Sequence, residues 1–208
     1  MANFTRNGYG QVEPNQLSAQ KTGQIYASLP LVSTVDVLQN GEFMFYDYAN
    51  GVVNAEAVTD GVAVMGEPML VMNEVKLYQE QFRTGYKDFA MIKVGENYVT
   101  NNIAALEYGG GAENNAAVIN SNYRMDGIAP RMFKTNVGDI MTTNMLVTGV
   151  TYVVGDLLTP VANPTSHTMV LGKVPADAED VISTMRWIVA KVTTMPDGQP
   201  GLKLQRVQ

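Results

Sequence analysis

Cysteine is absent from the chain and histidine occurs once. Without thiols the protein forms neither disulfides nor thiolate metal sites, and it has no cysteine nucleophile. One histidine, His167, cannot supply the two or more His/Cys ligands that a zinc site draws from a protomer. Charge is also scarce: 16% of the 208 residues are Asp, Glu, Lys or Arg, against about 25% in ordinary domains. The net charge is −6 and no basic run occurs, the nearest being Lys203 and Arg206. A nucleic-acid binder needs a concentrated basic footprint, and an anionic membrane surface attracts polybasic segments, so neither partner is expected. Apolar runs stop at four or five residues, as at Val62 to Met65, far below the about 20 that span a bilayer as a helix. The first residues, Met1 to Gly8, carry no apolar core of a secretory signal.

The elements of catalysis are missing as well. His167 lies in Asn163-Pro164-Thr165-Ser166-His167-Thr168, where adjacency to Ser166 does not build a triad, and no Gly-x-Ser-x-Gly elbow occurs. Gly109-Gly110-Gly111 is not followed by Gly-Lys-Ser/Thr, so it is a loop and not a phosphate cradle. Glu42, Asp47, Glu67, Glu74, Asp88, Asp126, Asp139 and Asp156 are available carboxylates, but no spacing pairs two of them as acid and base. Asp177, Glu179 and Asp180 lack the glycine and terminal glutamate of a calcium loop, and sit where they would cap a helix. No catalytic residue, cofactor or metal site is expected.

What the chain does contain is strand and turn. Residues 1–30 are rich in Asn, Gln and Gly and cannot form a core alone. They read as an extended N-terminal arm, whose scattered large residues Phe4, Tyr9, Val12, Leu17, Ile25 and Tyr26 are the candidate contacts with a partner. From Leu31 onward β-branched and aromatic residues are punctuated by Asn40-Gly41, Asn50-Gly51 and Asp60-Gly61, each a hairpin signal. Strands are expected at Val32 to Val37, Phe43 to Tyr48, Met69 to Met72, Phe89 to Val94 and Tyr98 to Thr100. A short helix is expected from Asn73 to Phe82, with Asn73 as its cap. Residues 31–124 thus form a β-rich region with one short helix.

Residues 125–208 read as a C-terminal antiparallel barrel or sandwich. Val137-Gly138-Asp139-Ile140 recurs as Val154-Gly155-Asp156-Leu157, seventeen positions later. Both Gly-Asp pairs belong at bends, followed by strands. Ala176 to Met185 offers a second short helix. Trp187 to Thr193 and Leu202 to Val207 flank Pro196-Asp197-Gly198-Gln199-Pro200-Gly201 as a closing hairpin, with Leu202, Leu204 and Arg206 on one face. The whole is mainly β: an antiparallel sandwich or barrel body, an extended N-terminal arm and one or two short helices. Thirteen methionines suit an adaptable core.

The polar arm, Leu38-Gln39-Asn40-Gly41-Glu42-Phe43, Met69-Leu70-Val71-Met72-Asn73-Glu74-Val75-Lys76-Leu77-Tyr78, the two Val-Gly-Asp strands and Trp187-Ile188-Val189-Ala190-Lys191-Val192 together resemble the decoration (auxiliary or cement) proteins of tailed-bacteriophage heads. The resemblance implies a virion protein on the capsid surface, assembled in the host cytoplasm. It would bind the major capsid protein as a homo-oligomer, a trimer or a dimer, and reinforce the shell. The alternative is a receptor- or carbohydrate-binding β module of a head fibre or tail accessory, stacking sugars on Tyr46, Tyr48 or Tyr123.

Overall fold

The computed structural model describes residues 3–6, 10–56, 58–59, 62–63, 66–73, 90–94, 97–100, 129–174 and 183–208. The protein is mainly β, with an antiparallel sheet curled into a half-barrel. In chain order the elements are β1 (Val12–Gln16), α1 (Ser18–Thr22), β2 (Ile25–Tyr26), β3 (Val37–Gln39), β4 (Phe43–Asp47), β5 (Val52–Asn54), β6 (Val58–Thr59), β7 (Val62–Ala63) and β8 (Met69–Val71). Then come β9 (Ala90–Val94), β10 (Asn97–Thr100), β11 (Met132–Phe133), β12 (Ile140–Thr143), β13 (Leu157–Asn163), β14 (Thr168–Lys173), β15 (Trp187–Thr194) and β16 (Pro200–Arg206).

The main sheet runs β1-β12-β16-β15-β13-β14-β4-β8-β11-β2, with β5 added beside β4. Its two ends, β1 and β2, are consecutive in the chain and joined by residues 17–24, which include α1. Laid flat, that order would separate the end strands by about 43 Å at the usual strand spacing. The connecting residues, partly helical, reach only about 21 Å. The sheet must therefore curl until its edges approach, and the 12–26 segment straps one edge to the other. The same sheet takes strands from the arm, from 31–124 and from 125–208, so the break expected near residue 125 does not separate two sheets. Chain continuity is overridden there by pairing: β4 and β8 find their partners in β14 and β11.

Two apolar cores share one wall. Phe43 and Phe45 of β4, Leu70 of β8 and Phe133 of β11 join Trp187, Leu158, Met141 and Leu204 inside the half-barrel. Met44, Tyr46, Met69, Val71 and Met132, the alternate residues, face a second cluster with Leu38 and Met91, which come from the small sheet β10-β9-β3. This wall is buried on both faces, which is why Phe43–Asp47 reads as an unbroken buried run and not as an alternation. Of the methionines, Met44, Met69, Met91, Met132, Met141, Met145, Met169, Met185 and Met195 are all buried, as adaptable filler should be.

The repeated Val-Gly-Asp segments fold alike. Asp139 N–H donates to Asn136 C=O (3.0 Å) and Asp156 N–H to Val153 C=O (3.2 Å), closing two β-turns. Gly138 and Gly155 occupy the third turn position with φ of 95° and 93°, a left-handed conformation that glycine adopts without steric cost. Each Asp carboxylate accepts the N–H of the first turn residue, Asn136 or Val153, at 2.8 Å. Each turn then docks on its neighbour: Gly138 N–H on Arg206 C=O, and Gly155 N–H on Val189 C=O, both at 2.9 Å.

The hairpins at Asn50-Gly51 and at 196–201 form as expected, joining β4 to β5 and β15 to β16. β6 and β7 pair with two residues, Asp60-Gly61, between them. Asn40-Gly41 differs. It does make a turn, with Glu42 N–H on Gln39 C=O at 3.3 Å, but β3 pairs with β9 whereas β4 pairs with β14, β5 and β8. A tight type I′ hairpin needs positive φ at both central residues, and here only Gly41 (φ 93°) has it. The turn instead sends the chain from one sheet to the other. The expected helix over 73–82 falls, beyond Asn73, outside the described residues, and so does that over 176–185 as far as residue 182. The described helix, α1, lies in the expected arm, where no helix was anticipated. It has no local side-chain cap; Asp139 serves instead, accepting Ser18 N–H at 2.9 Å and Ser18 Oγ–H at 3.0 Å.

Candidate functional site

The turn Gln39-Asn40-Gly41-Glu42 is the polar hub of the molecule. Gln39, Asn40 and Glu42 are all buried, and buried polar groups must be paired to be tolerated. Gln39 Oε1 accepts Gly10 N–H at 2.6 Å. The Asn40 amide mimics a strand, donating to Asn73 C=O at 2.9 Å and accepting Asn73 N–H at 2.7 Å. Glu42 Oε2 accepts Gln39 N–H and Oε1 accepts the Thr168 hydroxyl, both at 2.7 Å. Thr168 Oγ1 is in turn 2.6 Å from Ser166 Oγ. Burial pushes the Glu42 carboxyl up to about 7, against the pull of its Thr168 and Gln39 hydrogen bonds and the Arg6 charge.

Above this hub opens a cleft of about 650 Å³, within the usual range for ligand sites. Arg6, Asp36, β3 (Val37, Gln39), residues 146–148 and the end of the β13–β14 hairpin form its walls. The Arg6 guanidinium is half-buried, and Nη1 donates to Met145 Sδ at 2.9 Å. Desolvation lowers its pKa, and Glu42 partly offsets this through space. Ser166, Thr168 and Glu42 form a hydroxyl–hydroxyl–carboxyl chain, but His167 is exposed, in a left-handed conformation (φ 53°) between the two hydroxyl residues. The chain is a structural tie between β4 and β14.

Other buried charges are tied similarly. Arg206 Nη2 donates to both Glu67 carboxylate oxygens at 2.7 Å, Nη1 to Thr135 C=O and Oγ1, and Nε to Gln208 C=O. Asp47 clamps its own turn through Asn50 N–H and Nδ2. Asp139 and Asp156, equivalent in their turns, diverge in their second partner: Ser18 for the first, the Lys173 ammonium at 2.9 Å for the second. Among the described residues no three His, Asp or Glu side chains gather as a metal site, and no helix is long and apolar enough to cross a membrane. Asp177, Glu179 and Asp180 lie outside the described residues.

The candidate partner contacts of the arm are placed differently from the expectation. Phe4, Val12 and Leu17 are buried in the chain's own half-barrel core, and Ile25 packs against it. Phe4 meets Tyr152 edge-on at 6.0 Å, and the half-buried Tyr26 meets Tyr46 at 5.4 Å. Tyr9 lies outside the described residues. The reason is backbone pairing: Phe4 exchanges hydrogen bonds with Gly149 and Val150, β1 satisfies the open edge of β12 and β2 that of β11, carrying these side chains inward. Of the tyrosines considered for sugar stacking, Tyr46 is buried, Tyr48 is 64% exposed, and Tyr123 is outside the described residues.

An outward sheet face was not anticipated. Register places Gln16 opposite Ile140, Ile140 opposite Gln205, Gln205 opposite Ile188 and Ile188 opposite Leu157. Directly opposed residues share a face, and their neighbours Met141, Leu204, Trp187 and Leu158 point inward. An uncharged row therefore crosses five strands on the outside, with Leu157 47% exposed and Val207 44% exposed beyond Gln205.

Comparison with known protein families, curated proteins and solved structures finds no match. The site is therefore interpreted from its own geometry: a buried polar hub that fastens the fold, a cleft above it, and an uncharged outer row.

Proposed function

We propose that this chain is a non-catalytic structural virion protein that binds the outer surface of a phage capsid and reinforces contacts between major capsid subunits, working as a homo-oligomer. The observation that carries this reading is the outward row Gln16, Ile140, Gln205, Ile188 and Leu157. It is a rigid sheet surface about 20 Å wide at normal strand spacing. Aliphatic and amide groups there lose water more cheaply than charges do. Several such contacts, repeated by an oligomer around a subunit junction, multiply into stable attachment. The resemblance to head decoration proteins names the partner. The test is to add purified protein to matching empty shells and follow their rupture temperature. A rise is expected, lost on Ile188→Asp or Leu157→Asp while the protein's own melting is retained. Shells that neither bind the protein nor gain stability would refute the proposal.

A receptor- or carbohydrate-binding role in a head fibre or tail accessory is the second reading, favoured by exposed Tyr48 backed by Tyr46 at 5.6 Å. It predicts glycan binding by isolated protein that disappears in Tyr48→Ala and persists in Ile188→Asp.

A further inference from the structure

We propose that the cleft over the Glu42 hub binds a carboxylate carried on a short aliphatic body, with the Arg6 guanidinium as its anchor. Arg6 presents five N–H donors in a planar fork, of which the structure commits one to a thioether, a weak acceptor, at 2.9 Å. Among the described residues no carboxylate lies within ion-pair distance of it. A guanidinium remains charged at any ordinary pH, so a half-buried one beside a cleft calls for an anion. Asp36 also lines the cleft, and burial raises the Glu42 carboxyl to about 7; neither makes the fork–fork pair that arginine favours.

The remaining lining decides which anion. A phosphate dianion is usually held by several cations or by backbone N–H groups at a helix start, and this cleft offers Arg6 as its lining cation. With Asp36 also in the lining, a single carboxylate on Arg6 suits the cleft better than a dianion. Val37, Leu146, Val147, Pro164 and Val170 give aliphatic walls, which suit an aliphatic body. Thr148, Asn163 and Thr165 also line the cleft, are not buried, and can bond a peptide group. A free aliphatic acid and a polypeptide C terminus ending in an aliphatic residue share this chemistry. The cleft is separate from the outer sheet row, so this inference and the capsid proposal stand or fall independently.

The test is calorimetric titration of the intact protein with 4-methylpentanoate, with acetyl-Gly-Ala-Val as free acid, with the same peptide as its amide, and with inorganic phosphate. Saturable binding of at least one carboxylate is expected. Peptide acid alone identifies a chain end, free acid alone a small molecule, and both the shared group. Arg6→Gln should weaken binding at least about tenfold, as loss of charge-assisted hydrogen bonds requires, and Thr165→Trp should block the cleft with Arg6 intact. Melting temperatures of both variants establish folding. Affinity should fall from pH 6 to pH 8 as Glu42 ionises, and stay level in Glu42→Gln. Binding of the amide as tight as the acid, phosphate as tight as either, an unaffected Arg6→Gln or Thr165→Trp, or no saturable carboxylate binding would overturn the inference.

Discussion

Replacing Glu42 by Gln should stabilise the protein above neutral pH and leave it nearly unchanged below pH 4.5. The carboxyl ionises at about 7 in the folded chain against 4.5 for a solvated glutamate in the unfolded one, chiefly because burial disfavours the charge. A raised acid binds its proton more tightly when folded. Its contribution is therefore fully present below pH 4.5, is lost as pH rises through 7, and is flat beyond. The upper bound on that loss is about 3 kcal/mol, at about 1.4 kcal/mol per pH unit. Glutamine can satisfy the same site: Oε1 accepts Gln39 N–H, and Nε2 donates to Thr168 Oγ1, which turns its own proton to Ser166 Oγ, 2.6 Å away. Urea denaturation of both proteins from pH 4 to pH 9 isolates the effect, since the other carboxylates cancel in the difference. The variant should gain steadily between pH 4.5 and 7, reaching about 2–3 kcal/mol. Parallel curves for the two proteins, or a variant that loses ground at pH 8, would refute the reasoning.

Asp139→Ala should cost about 3 kcal/mol, since it removes three part-buried hydrogen bonds, to Asn136 N–H, Ser18 N–H and Ser18 Oγ, whereas Asp156→Ala should cost about 1 kcal/mol because its Lys173 partner is solvated. Hydrogen exchange should rise across residues 12–24 in the first variant and not in the second. Gly41→Ala places a methyl 2.6 Å from Thr143 Oγ1 and 2.8 Å from Met145 Cγ, at φ 93°; a loss of about 2 kcal/mol or more in chemical denaturation is expected. Arg206→Met keeps the buried stem but orphans the Thr135 carbonyl and frees Glu67. It should cost about 3 kcal/mol, and Arg206→Lys, which retains charge without the fork, should recover less than half of that.

Much of the local architecture was legible. The turn glycines of both Val-Gly-Asp segments, the β4–β5 and β15–β16 hairpins and the inward face of β16 through Arg206 all follow from residue type and spacing. Their physics is short-ranged: a left-handed φ, an Asp folding back three residues, a period of two. The candidate site was far less legible. Glu42 stood among many acids, distinguished only by lying between Leu38 and a run of aromatics. Arg6 sat in a segment read as an arm, with nothing nearby to mark it.

The sequence by itself determined that this is a thiol-free, low-charge, antiparallel β protein with turns at particular glycines. Backbone sterics and hydrophobic alternation act over a few residues, so they are written in the order of the chain. Tertiary structure alone decided which strands pair, that Asn40-Gly41 switches sheets, and that Asp139 caps a helix 121 positions away. It also decided that the polar arm straps the two edges of the sheet instead of standing free. Open strand edges exert the same demand on any segment that can reach them, and only the closed three-dimensional path selects residues 12–26 to meet it.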